Sequence, residues 1–281
     1  MSMTSSLDNE QATLWNGRSG RAWIEAQALL DGMFQPFEEQ LVRAVRPELG
    51  QRVLDVGCGT GSTTLALARR LGTKGYCMGV DISAPMLEVA RARANREGTF
   101  ASFQCADAQR HVFDPASFDL IVSRFGVMFF DQPATAFTNL RSAARQGARL
   151  RFIAWRSAAE NPFMTTAERA AAPLLPKLPP RRQDAPGQFS FADRQRISDI
   201  LQQSGWVDVD IQSLDVECVL PEHALVGYFT RLGPVGSVLQ EVDEVTRGQV
   251  IATVRAAFDP YVHGPEVRYT AACWLVNAKR Y

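Results

Sequence analysis

The run Val53-Leu54-Asp55-Val56-Gly57-Cys58-Gly59-Thr60-Gly61 packs a buried-strand pattern, an acid and three alternating glycines into one short turn. A helical pattern follows from Ser62 to Leu71. Glycines at a strand-to-helix turn let a ligand come close to the backbone, because no Cβ stands in the way. A dinucleotide is the first ligand to weigh, and the spacing argues against it. Its fingerprint, Gly-x-Gly-x-x-Gly or Ala, needs a small residue where this chain has Ser62, and Gly61 falls one place early. Asp55 would also set negative charge beside a pyrophosphate. The same acid suits a ligand bearing an ammonium or another cation, so the turn points to a positively charged, adenosine-containing molecule.

Val53–Gly61 resembles motif I of the class I S-adenosylmethionine-dependent methyltransferases, and three later segments follow in that family's order. Tyr76-Cys77-Met78-Gly79-Val80-Asp81 is an apolar run ending in an acid, and Ile82-Ser83-Ala84-Pro85-Met86-Leu87-Glu88 opens a helix with Ser83 as N-cap and Pro85 in the first turn. The resemblance implies that Asp81 grips both ribose hydroxyls, a task suited to a carboxylate with two accepting oxygens. It gives Ile82 and Met86 to the same cofactor. Phe103-Gln104-Cys105-Ala106-Asp107-Ala108 is similar to the family's third-strand end. There Asp107 would accept from the adenine amino group and the Ala108 backbone would meet the ring. Phe118-Asp119-Leu120-Ile121-Val122-Ser123-Arg124 resembles strand four, under the methionine part, which brings Ser123 into the set. The implied cofactor-binding residues are Asp55, Gly57, Gly59, Asp81, Ile82, Met86, Asp107, Ala108 and Ser123. The implied cofactor is S-adenosylmethionine, leaving as S-adenosylhomocysteine.

The elements that must position these residues alternate. Gln51–Val56, Tyr76–Val80, Ala101–Cys105, Phe118–Val122 and Ala148–Trp155 read as strands, with helices over Ser62–Leu71, Pro85–Arg96 and Pro133–Gln146. The succession predicts an α/β, doubly wound sheet with ligand at the carboxyl ends of its strands, where the acids named above all fall. The resemblance makes this a seven-stranded, mostly parallel Rossmann-like sheet whose last strand is antiparallel. Beyond Trp155, Ser157–Ser190 is rich in proline around a helical stretch near Phe163–Ala172 and reads as an insertion. Ala192–Ser204 reads as a helix stopped by Gly205, Trp206–Leu220 as a strand, His223–Ala257 as helical with a break at Gly233-Pro234, and Val267–Ala278 as the final strand. Three parts result: lid helices over 1–50, a cofactor-binding core over 51–155, and cap insertions with the closing strands over 156–281.

Composition restricts the alternatives. With 281 residues the chain can bury a full core, and its 30 basic and 30 acidic residues leave no field that would favour nucleic acid. Arg91, Arg93 and Arg96 read as a solvated helix face, and the Arg181-Arg182 pair, after a proline-rich stretch, as solvated surface. Cys58, Cys77, Cys105, Cys218 and Cys273 show neither pairing nor a His-rich neighbourhood, so they favour a reducing cytoplasm and no metal site. Met1–Asn9 is polar without an apolar signal core, and no segment reaches membrane-spanning length.

Substrate identity is expected in the regions outside the sheet. Leu14 to Trp23 is rich in aromatics and glycine, and a helix follows around Ile24–Leu30. Trp15, Trp23 and Phe34 either line the methionine and acceptor pocket, attracting the sulfonium and excluding water, or staple the amino-terminal helices onto the core. His223 is the first candidate for a general base, ahead of His111 and His263, with Asp131 and Glu160 as acidic alternatives. The place after strand four reads Ser123-Arg124-Phe125-Gly126, which differs from the Asn/Asp-Pro-Pro-Tyr/Phe of the nucleic-acid amino-methylating enzymes. The expectation is a methyltransferase that moves a methyl group by in-line displacement to an O, N or C atom of a small, partly apolar metabolite, as a monomer or homodimer. A noncatalytic S-adenosylmethionine-binding regulator or subunit is the alternative, and a nicotinamide oxidoreductase a third reading.

Overall fold

The computed structural model describes residues 10–181 and 185–281, so the expectations for Met1–Asn9 and Arg182 lie outside the described residues. Three helices come first: α1 (Glu10–Asn16), α2 (Arg18–Glu25) and α3 (Gln27–Val45). An alternating core follows: β1 (Arg52–Val56), α4 (Ser62–Leu71), β2 (Tyr76–Asp81), α5 (Ala84–Glu97), β3 (Ala101–Cys105), β4 (Phe118–Arg124), α6 (Pro133–Ala143) and β5 (Ala144–Trp155). The remainder supplies α7 (Pro162–Ala171), α8 (Arg194–Gln203), β6 (Val207–Pro221), α9 (Leu225–Arg231), α10 (Gly233–Val238), α11 (Glu244–Ala257), β7 (Val262–His263) and β8 (Glu266–Lys279).

The strands form one sheet in the order β3-β2-β1-β4-β5-β8-β6, with β7 folded back on β8. Pairing is parallel from β3 through β5, and β8 runs antiparallel between β5 and β6. This is the doubly wound arrangement expected, with one addition: the two-residue β7 makes eight strands among the described residues, and His263 lies in it. Chain order reverses between β1 and β4, where a crevice opens at the carboxyl ends of the strands.

Helix α3 shows why the amino-terminal region divides. Leu30, Met33, Phe34, Phe37, Leu41 and Val45 recur every three or four residues and are all buried, so the helix presents one apolar stripe to the sheet. Each such burial contributes roughly 1.5–3 kcal/mol. The helix expected at Ile24–Leu30 is in fact two helices separated at Ala26, and the longer one is a layer of the core. Arg93, read as solvated, pairs with Asp31 of α3 at 2.7 Å and donates to the Thr60 carbonyl at 2.9 Å, tying α3 to the glycine turn.

Two other boundaries differ from the sequence reading. The helix expected to reach Gln146 ends at Ala143, because Arg280 donates to the carbonyls of Arg141, Ser142 and Ala144 at its last turn and Gly147 takes a left-handed turn. The stretch to Ala257 breaks twice, at Leu232 and at Val242, where the Asp243 side chain caps α11 by accepting from Thr246 N at 2.9 Å. Among the described residues, no helix is long and apolar enough to cross a membrane.

Candidate functional site

A cavity opens at the carboxyl ends of β1, β2 and β4, with α1 and α2 above it. Its floor is the glycine turn. Gly57 has φ +68°, and a Cβ there would stand 2.6 Å from the Gly126 Cα, so the β1 and β4 exits touch backbone to backbone. Gly59, at φ +54°, turns its N–H to the Asp81 Oδ2 at 2.7 Å.

Asp81 ends β2. Its Oδ1 accepts from Ser83 N at 2.9 Å, so each oxygen holds one backbone donor and keeps accepting capacity for a ligand. Burial pushes its pKa up, while the Ser83, Gly59 and Ile82 backbone N–H groups pull it down. Ser83 caps α5, accepting from Met86 N at 3.4 Å. Its hydroxyl donates to the Trp15 carbonyl at 2.7 Å. Asn16 adds a second clasp: its amide donates to the Ile82 carbonyl at 3.0 Å and accepts from Ala84 N at 3.0 Å. The end of α1 is thus fastened to the backbone directly after Asp81.

The structure brings Trp15, Trp23, Gly57, Gly59, Asp81, Ile82, Met86, Asp107 and Ala108 together in the cavity wall. Asp107 Oδ1 accepts from Gln109 N at 2.9 Å. Trp15 stands edge-on to Trp23 and to Phe129, with centroids 5.9 and 5.0 Å apart, and its indole N–H donates to the Gln11 side chain at 3.2 Å.

Four expected residues stand elsewhere. Asp55 is 1% exposed beneath the loop and accepts from the Thr64 hydroxyl at 2.6 Å, so it does not face a ligand's cation. Helix α4 covers it, and burial lifts its pKa to about 6 against the opposing pull of Thr64 and Arg124. Ser123 is fully buried; its hydroxyl donates to the Val56 carbonyl at 2.7 Å and accepts from Gly126 N and Val127 N, which locks the touching turns. Phe34 lies one layer behind the wall, stacked on Trp23 and edge-on to Phe125. His223 is exposed in a single 3₁₀ turn after β6 and does not line the cavity.

The other base candidates also lie outside the wall. His111 packs edge-on to Phe113, His263 is exposed on β7, and Asp131 follows Phe130 just past the wall. Glu160 is held below the usual carboxylate range, first by the Ser157 hydroxyl and also by Arg156, which suits an ion pair rather than a base.

Sequence reasoning left out Gln11, Gln109, Arg124, Phe125, Gly126, Phe129 and Phe130, which also line the cavity. Phe129-Phe130 carried a signal, an exposed-looking aromatic pair directly after a strand-four motif. Gln11 carried none. Arg124 Nε donates to Thr63 Oγ1 at 3.0 Å, and its guanidinium lies 5.9 Å from the centre of the Phe34 ring. Burial lowers its pKa, opposed by the charges of Glu38, Asp31 and Asp55. Among the described residues, no group of three or more His, Cys, Asp or Glu side chains is placed to hold a metal ion.

Comparison with known proteins agrees with this geometry. Residues 53–147 match the family described as "Methyltransferase domain". The aklanonic acid methyltransferase DauC of Streptomyces is 33% identical over 120 residues, which cover 42% of this chain and 54% of that protein. Nocamycin O-methyltransferase of Saccharothrix syringae is 29% identical over 206 residues, 69% of this chain and 73% of that protein. The crystal structure of the YcgJ protein of Bacillus subtilis shares the fold, with a TM-score of 0.56 at 17% identity over 86% of this chain and 97% of that one. The alternating core, with its acid-ended second strand, is a class I S-adenosylmethionine-dependent methyltransferase domain. S-adenosylmethionine is the cofactor of that class, and the fit is visible here in the accepting capacity that Asp81 retains at the cavity floor.

Proposed function

We propose that this protein transfers a methyl group from S-adenosylmethionine to a small, partly apolar metabolite. The observation that carries the reading is one continuous cavity. It joins a carboxylate suited to two ribose hydroxyls, a glycine floor that admits a nucleoside, and a wall of Trp15, Trp23, Phe125, Phe129 and Phe130. When bound, the cofactor supplies an electrophilic methyl carbon for in-line displacement. The chain's own task is to orient and to exclude water. Asp81 and the Asp107 loop set the nucleoside, the touching turns at Gly57 and Gly126 fix the floor, and the aromatic wall desolvates the acceptor and faces a cation with its π-systems.

Helices α1 and α2 act as the lid over the core at 51–155, and the segments beyond 155 complete the cap and the sheet. The name of one relative, nocamycin O-methyltransferase, favours an oxygen atom as acceptor. The balanced charge agrees with a small-molecule acceptor rather than nucleic acid, and the unpaired cysteines with a reducing, cytoplasmic setting. The residues that line the cavity supply proximity and desolvation for the transfer. The test is incubation with isotope-labelled methyl donor and a bacterial metabolite extract. Label in an extractable, apolar product supports the reading. Tight S-adenosylhomocysteine binding with no labelled product favours a noncatalytic binding protein.

A further inference from the structure

Arg124 is placed unusually for a structural arginine. It stands at the carboxyl end of β4 and lines the cavity together with the rings of Trp15, Trp23, Phe125, Phe129 and Phe130. Nε is committed to Thr63, but neither terminal nitrogen hydrogen-bonds to another described residue. The acids around it are engaged elsewhere: Asp31 pairs with Arg93 at 2.7 Å, Glu38 accepts from the Ser62 hydroxyl, and Asp55 accepts from Thr64. They hold the guanidinium charged without occupying its fork. The bond to Thr63 and the Phe34 ring fix its plane, so little side-chain freedom remains to be lost on binding. An unoccupied guanidinium fork matches a planar oxyanion, which it meets with two parallel N–H donors.

We propose that Arg124 is an oxyanion clamp, whose terminal N–H groups hold an ionised oxygen of carboxylate or enolate type on a molecule bound in this cavity. The inference rests on the methyltransferase reading above. A sulfonium brought into the same low-dielectric cavity repels a bare guanidinium, and an oxyanion on the fork removes that repulsion. Two molecules carry such a group: the cofactor, through its amino-acid carboxylate, and an acidic acceptor.

The experiment separates them by calorimetry on the whole chain, wild type against Arg124→Gln. The probes are S-adenosylhomocysteine and 5′-methylthioadenosine, which lacks the amino acid. With the protein saturated in S-adenosylhomocysteine, 2-naphthoate and its neutral amide follow. If the clamp holds the cofactor, Arg124→Gln weakens S-adenosylhomocysteine at least tenfold and leaves 5′-methylthioadenosine unchanged. If it holds the acceptor, S-adenosylhomocysteine is unchanged, and the wild type's preference for naphthoate over the amide disappears in the variant. Wild-type affinity for S-adenosylhomocysteine together with an unaltered naphthoate-to-amide ratio overturns the proposal. Wild-type protein that binds no S-adenosylhomocysteine defeats the methyltransferase reading instead, a distinct outcome. Arg124→Lys keeps the charge and loses the fork, so it supports the same comparisons if Arg124→Gln lacks the wild-type circular dichroism spectrum.

Discussion

Replacing Asp81 removes the one carboxylate at the cavity floor whose oxygens both keep accepting capacity after binding their backbone donors, Gly59 N at 2.7 Å and Ser83 N at 2.9 Å. Two vicinal ribose hydroxyls fill that capacity. Hydrogen bonds to a charged acceptor contribute about 1.5–3 kcal/mol each, and Asn in place of Asp keeps one acceptor while losing charge. Asp81→Asn should therefore weaken S-adenosylhomocysteine by about 1.5 kcal/mol, roughly tenfold, and Asp81→Ala by about 3 kcal/mol, roughly 100-fold. The Asn variant should also lose about 1–3 kcal/mol of stability, because its amide offers one accepting oxygen and turns an NH2 toward one of the two backbone N–H groups that the carboxylate accepts. The pH dependence has a fixed sign. Hydroxyl donors favour the ionised form, so binding lowers a pKa that burial had raised. Wild-type affinity should fall on acidification through that raised pKa, and the Asn variant should lose the dependence. Calorimetric titration with S-adenosylhomocysteine over pH 4–8 measures all of this. Affinity within threefold of wild type for Asp81→Ala would refute the placement of the ribose.

Other outcomes follow from the same contacts. A Cβ on Gly126 would lie 2.5 Å from the Val56 carbonyl oxygen and 2.7 Å from the Gly57 Cα, so Gly126→Ala should cost about 1–3 kcal/mol in urea denaturation and weaken the cofactor. Asp55 has its pKa lifted from 3.8 to about 6, so the folded state holds the extra proton between those values and stability falls as pH rises through that window. The change is about 3 kcal/mol in all, and Asp55→Asn, which can still accept from Thr64, should flatten the curve; an unchanged pH profile of the melting temperature would contradict it. Asn16→Ala deletes both clasps to Ile82 and Ala84, worth about 1–2 kcal/mol together, so hydrogen exchange should quicken in α1 while β1 and β2 keep their protection.

The core was legible because its signals are local. Period-two and period-3.6 patterns, a capping serine and acids at strand ends located β1 to β5 and α4 to α6 within a few residues, and the order of motifs gave the sheet. The helix ends that moved did so for reasons distant in sequence: Arg280 closes α6 from the far end of the chain. Asp55 shows the same limit within the site. Its neighbours in sequence mark a ligand turn, but Thr64, nine residues on, takes its carboxylate under the loop. Arg93 reads as surface from its helix face alone and becomes a tie only because α3 brings Asp31 to it. Arg124 was visible as a residue after strand four, yet its open fork depends on where Thr63, Asp31 and Glu38 fall in space.

A crystal structure with S-adenosylhomocysteine tests the central claim most directly. It should place both ribose hydroxyls within hydrogen-bond distance of Asp81, adenine beside Asp107 and Ala108, and the sulfur beneath the Trp15 and Phe129 rings. S-adenosylhomocysteine bound away from the Gly57 and Asp81 floor, or absent at saturating concentration, would contradict it.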